Sequence, residues 1–387
     1  MRRDIRGLSR RGVSALLLGA TALLGGCGLF SSSYRPPKPA PLPVFKPAAR
    51  VGAAWSAEVG GAGTDAFSPA LAGDAVYAAG ENGRLYRFDV GSGRKIWAVD
   101  TGIRLSAGVG AGDHCVVVAT NRGRVLAYSD AGKPLWQAQV SSSVLSPPAV
   151  SGGLVMVRSA DGRITALNAA DGKEKWFYQQ PLPSLTLRSF AGVLALRGAV
   201  FAGFPGGQLV ALALENGNTG WSGTVAEPKG GTALERIADV TSLPVTDGQE
   251  ICAVAYRGRL ACFDIRSGNL LWAKPMSSTA GLAMGTHNVY VSEQDGTVAA
   301  LDKSTGVSLW SQSALHRRTL TAPVLVGPYV AVGDYQGYVH FLSRADGAFV
   351  ARAATDGSRI AAPLVPWGDE GCLAQTKDGT LTAFRVQ

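Results

Sequence analysis

Five cysteines and four histidines carry most of the reactive chemistry open to this 387-residue chain. Cys27 directly follows an arginine-rich start and an apolar run from Val13 to Leu24. A thiol in that place is suited to acylation, and acyl chains gain roughly 0.8 kcal/mol per buried CH₂, so several together make a stable anchor. Cys252 and Cys262 lie equidistant from Arg257 in ICAVAYRGRLACF. A three-residue hairpin loop would set them opposite each other, either as a cross-strand disulfide in an oxidising compartment or as two small packed residues. Cys115 and Cys372 fall in distant segments and read as buried thiols. His114, His287, His316 and His340 are scattered without the spacing of a metal site. His316-Arg317-Arg318 reads as a solvated basic loop. No nucleophile elbow, phosphate loop or dinucleotide fingerprint follows a strand and opens a helix. Asp369-Glu370 lie in a turn with no general-acid partner. The expectation is a protein with no catalytic residue, no metal and no cofactor.

The N-terminus is an address. Residues 1–26 read as a lipoprotein signal peptide, with an apolar run too short to span a bilayer. Leu24-Gly25-Gly26-Cys27 resembles the bacterial lipobox, in which the cysteine is acylated before cleavage on its N-terminal side. Gly28 stands where an aspartate would resemble an inner-membrane retention signal, so the outer membrane is expected, with the body facing the periplasm. Residues 27–50 then form a lipidated cysteine and a tether with six prolines between Pro36 and Pro47, extended and semi-rigid.

Composition bounds the remainder. Apolar residues make up 46% and charged residues 17%, which excludes disorder and permits a large core. The formal charge is +9, of which the signal peptide supplies +4 through five arginines and one aspartate. The mildly basic body lacks a basic stripe with interleaved aromatics, so nucleic acid is not an expected partner.

What would position any site is a repeat. A glycine recurs at Gly83, Gly123, Gly162, Gly207, Gly258, Gly296, Gly337 and Gly379, where a tight hairpin calls for φ > 0. A tryptophan follows 13 or 14 residues later at Trp97, Trp136, Trp176, Trp221, Trp272 and Trp310. Four short strands per unit of about 40 residues predict an all-β, eight-bladed propeller over 51–387. The seventh unit has Ala351 in the tryptophan position, and the eighth stops at Gln387 before a fourth strand. An unpartnered strand around Trp55 should therefore close the last blade, removing the exposed edge. The indoles should pack between blades.

ALNAADGKEKW (166–176) resembles the repeat of pyrroloquinoline-quinone dehydrogenases, with weaker copies at FDIRSGNLLW (263–272) and LDKSTGVSLW (301–310). Those enzymes imply an adjacent cysteine pair and a calcium site, and this chain has neither adjacent cysteines nor a calcium-loop spacing. The lipobox, tether and eight compact repeats resemble instead the BamB family, lipoproteins of the outer-membrane β-barrel assembly machinery. That resemblance implies a non-enzymatic scaffold docking on the periplasmic domains of BamA, beside other Bam lipoproteins and possible contact with nascent outer-membrane proteins. PSLTLRS (183–189) and LERIADVTSLPV (234–245) are the longest departures from the period. Carried over from the family as partner-binding residues are Leu185, Leu187, Arg188 and Asp239; the family pattern favours a second acid two positions later, where Thr241 stands. The competing reading is that Arg188 and Asp239 pair to pin the insertions together. The alternative functions are a quinone-dependent dehydrogenase and a cell-wall or polysaccharide-binding propeller.

Overall fold

A computed structural model describes residues 37–387; the signal peptide, Cys27 and the tether as far as residue 36 lie outside the described residues. From Pro39 onward the chain is one body of eight four-stranded antiparallel sheets. Inner strands of neighbouring blades meet around a ring, and the last meets the first. Among the described residues every regular element is a strand.

Near-continuous apolar runs put the second and third strands of each blade in the core, where both faces are covered. Cys115–Ala119, for example, is buried at every position. Outer strands such as Lys95–Asp100 and Pro134–Gln139 alternate exposed with half-buried residues, as expected of a strand that packs on only one side. Core clusters form where two blades face each other. One joins Tyr77 and Leu85 of the first blade to Val116 and Leu126 of the second.

The repeated tryptophan and a second, unforeseen glycine form the joint between blades. In each of the first six blades a bulge between the third and fourth strands falls just beyond the tryptophan pair. Each indole lies against the following blade's turn between its third and fourth strands and donates its N–H to a carbonyl there. Trp97 reaches the Asp130 oxygen at 2.9 Å, Trp176 that of Leu214 at 2.8 Å and Trp310 that of Arg344 at 3.0 Å. Gly217 in such a turn has φ 73°, and a Cβ there would fall 2.5 Å from the Trp176 ring. Both the backbone conformation and the indole thus require glycine.

The expected closure is present. Val51–Glu58 pairs antiparallel with Thr380–Val386, Trp55 opposite Ala383, and the Trp55 indole donates to Val90 O of the first blade at 2.8 Å. The same closure explains Ala351. Its blade faces the place where the chain opens, between Val386 and Val51, so there is no turn for an indole to meet. The bulk shifts to the neighbouring strand, where Phe341 pairs with Ala351 in place of the usual alanine opposite tryptophan.

Residues 40–49 occupy that gap. The Ala48 and Ala49 amides donate to Val350 O, Phe45 stacks on Phe349 at 5.5 Å, and Arg352 donates to Pro43 O at 3.1 Å. At the other end Ala40 N donates to His316 O, and Arg318 Nη1 donates back to Ala40 O at 3.0 Å. This part of the expected tether is a strap folded onto the seventh blade. It also corrects the reading of His316-Arg317-Arg318 as a solvated loop. Arg318 is 2% exposed, its Nε 2.8 Å from Asp334 Oδ2, and the same carboxylate meets His340 Nε2 at 3.0 Å.

One hairpin departs from the expected backbone. Seven of the eight repeat glycines have positive φ, but in the fifth blade Arg257 takes the left-handed conformation (φ 49°) in place of Gly258. Gly258 is required by space instead, because a Cβ would come within 2.5 Å of Ala226. The loop is still centred on Arg257, so Cys252 and Cys262 are directly paired, Cα atoms 4.1 Å apart, with their sulfurs bonded. Cys115 and Cys372 are free and buried, and burial pushes their thiols up to about 11 and about 12.

Candidate functional site

The connections from each outer strand to the next blade's inner strand emerge on one face of the ring, together with the hairpins between second and third strands. The two longest are residues 180–193 and 225–244, on either side of the fourth blade. Length without a sheet to join makes these segments irregular, so their shape is set by side-chain anchors.

Asp239 is the central anchor. It is 2% exposed, and its carboxylate accepts the Leu187 amide at 2.7 Å and the Gly206 amide at 3.1 Å. Ser189 Oγ donates to Thr241 O, tying the two insertions a second time. The charge of Asp239 is answered from below by Arg158, which is buried, donates to Ala191 O and lies 4.9 Å over the Phe204 ring. Burial pulls the Arg158 guanidinium down to about 10, and the Asp239 carboxylate opposes that shift. At about 10 the Arg158 guanidinium is still charged at neutral pH.

The loop so pinned presents Leu185, 48% exposed, with Leu182 at 37% on the same segment. Leu187 is half-buried and turns toward the ring axis. There a cavity of about 1100 Å³ runs between the inner strands, walled by residues such as Pro148, Leu194, Leu282 and Leu364. Arg188 reaches over the mouth of this channel, its guanidinium 5.3 Å from the Phe190 ring and Nη2 2.5 Å from Asp65 Oδ1.

The four expected partner-binding residues therefore gather on one insertion face, in two different roles. Leu185 and Arg188 face outward. Asp239 is too deeply buried to touch a partner and works through the backbone of the loop. Arg188 and Asp239 do not pair with each other. Thr241 is also buried, and its hydroxyl donates to Thr279 O at 3.3 Å. Three residues escaped sequence reading. Leu234 and Leu243, 60% and 44% exposed, add apolar surface to the second insertion. Asp65 lies in the connection that follows the closing strand, where nothing local marks it as Arg188's partner. Among the described residues no group of three or more His, Cys, Asp or Glu side chains is gathered as metal ligands.

The family model for outer membrane protein assembly factor BamB matches residues 81–312 and 294–387. The outer membrane protein assembly factor BamB of Bordetella pertussis is 42% identical over 387 residues, covering all of both chains. The crystal structure of BamB from Moraxella catarrhalis superposes with a TM-score of 0.80 at 28% identity, covering 87% of this chain and all of that one. A quinohemoprotein alcohol dehydrogenase from Pseudomonas putida reaches a TM-score of 0.69 at 14% identity over 88% of this chain and 76% of its own, a likeness of fold alone. With a family model across most of the propeller and a full-length relative at 42% identity, the chain belongs to the BamB family of outer membrane protein assembly factors.

Proposed function

We propose that this protein is a non-enzymatic scaffold of outer-membrane β-barrel assembly. It is anchored through acylated Cys27, faces the periplasm, and docks on the periplasmic domains of BamA through Leu185, Leu187 and Arg188. One observation carries the reading: a loop immobilised by the buried Asp239 holds an exposed leucine beside a half-exposed guanidinium. Apolar anchors with arginine concentrate binding energy at interfaces, and a loop already ordered loses little entropy on docking. Other Bam lipoproteins and nascent outer-membrane proteins would meet the propeller in the assembled machinery. The test is the affinity of the full chain, in detergent, for the periplasmic domains of BamA. Leu185→Ala/Leu187→Ala/Arg188→Ala should weaken it about a hundredfold with an unchanged circular dichroism spectrum. Equal affinity would remove the site, and no binding by the unmodified chain would remove BamA as the partner.

The Cys252–Cys262 pair belongs to the same reading, because a periplasmic body meets an oxidising solvent. With the two cysteines ten positions apart in sequence, the cross-link should contribute about 2.5 kcal/mol by restricting the unfolded chain. Reductant should lower the urea midpoint of the unmodified chain and leave Cys252→Ala/Cys262→Ala unaffected. A midpoint indifferent to reductant would mean the two thiols merely pack.

A further inference from the structure

Arg188 is an unusual docking residue, because an exposed arginine ordinarily samples many rotamers and loses that freedom when a partner fixes it. Here it is already fixed. Its Nη2 sits on Asp65 Oδ1 while the plane lies 5.3 Å from the Phe190 ring, yet its side chain keeps 51% of its exposure. Asp65 has the opposite character, with 9% of its side chain exposed. Among the described residues, Arg188 is the one hydrogen-bond partner of its carboxylate. The nearest other charges, Glu81 and Arg104, satisfy each other.

The two residues come from distant parts of the ring. Asp65 follows the closing strand at the junction of the eighth and first blades, and Arg188 lies three blades further round. Their contact draws the docking loop across the mouth of the channel and fixes the direction in which the guanidinium points. A planar guanidinium has five N–H donors in a rigid fork. One edge held by Asp65 leaves donors on the other edge directed outward, a geometry that suits a second carboxylate.

The geometry points to Asp65 as the positioning residue for docking: it holds one edge of Arg188 so that the other edge receives a carboxylate of the partner, between apolar groups that meet Leu185. This rests on the docking reading above and adds to it the partner chemistry and a residue remote in sequence. Asp65 itself touches nothing on the partner. Its removal acts through Arg188 alone.

The test is a double-mutant cycle on the full chain in detergent, with the periplasmic domains of BamA as probe and the melting temperature recorded for every variant. Asp65→Asn should weaken binding about tenfold, because the partner must then order a free arginine. In an Arg188→Ala background the same substitution should change affinity less than about twofold. Asp65→Glu, which restores a carboxylate, should recover part of the loss. A merely structural role for Asp65 would weaken both backgrounds equally and overturn the proposal. Tighter binding by Asp65→Asn would overturn it too, since Asp65 would then compete with the partner. A second arm needs no partner. The Arg188 Nε–H nuclear magnetic resonance signal should be that of an ordered side chain in the unmodified protein and of a mobile one in Asp65→Asn. An Arg188 equally ordered without the carboxylate sinks the proposal even if BamA proves to be the wrong partner, whereas lost order with no BamA binding sinks only the docking reading.

Discussion

Asp334→Ala should lower the stability of the propeller by about 3–5 kcal/mol, the cost of leaving a buried charge without its partner. The carboxylate is fully buried and takes contacts from Arg318 and from His340 Nε2. Backbone amides of Gln336 and Tyr338 add two further hydrogen bonds. Burial works against its ionisation, but the bonds and charges of His340, Tyr338 N and Arg318 outweigh it and hold the group below the ordinary carboxylate value. Its contribution is accordingly present above the ordinary value of 3.8 and lost as pH falls toward the lowered folded value. Without Asp334, Arg318 would face the core uncompensated, and its bond to Ala40 O would loosen. Urea unfolding gives the loss. Hydrogen exchange gives its location, with the Ala48 and Ala49 amides exchanging faster and the first three blades unchanged. A variant within about 0.5 kcal/mol of the unmodified protein would mean that solvent reaches the cluster and screens it. His340 adds a second, milder dependence. Burial lowers its pKa, partly offset by Asp334, so the folded protein resists protonation while the unfolded chain accepts it. Stability should therefore fall as pH drops below 6.5, the ordinary histidine value.

Trp176→Ala should cost a similar amount, about 3–5 kcal/mol. The indole is 8% exposed, lies flat on Gly217 and gives its N–H to Leu214 O. Truncation opens a cavity between the third and fourth blades and leaves that carbonyl unpaired. The turn at Gly217 cannot collapse to fill the space, because its backbone is held by the Gly217 amide on Ala213 O. The urea midpoint measures the loss, and the fourth blade carries the docking insertions on its two sides. If Trp176→Ala unfolds at the same urea concentration, the indoles are not the joints between blades.

The parts of this protein that repeat were legible one residue at a time. Hairpin glycines and outer-strand tryptophans recur because every blade solves the same local problem, a tight turn followed by a joint to its neighbour. Counting them gives eight blades. The absence of one tryptophan and the presence of Trp55 locate the closure, since an alternating strand announces which face it buries. The insertions were visible as interruptions of the period, and the family resemblance pointed within them to Leu185, Leu187, Arg188 and Asp239.

What tertiary structure decided are the contacts that no period encodes. Asp239 looked like a surface acid, and its burial follows from where two irregular loops meet. Arg188 found Asp65, 123 residues away, because ring closure brings the end of the clasp beside the channel mouth. The proline-rich segment read as a free tether, yet part of it fills the gap left by a missing turn, and Arg318 is buried beneath it. Hydrophobic periodicity reports which face of an element is covered. It carries no record of which distant element does the covering, and partner choice across the ring depends on charge and shape that meet only once the ring is closed.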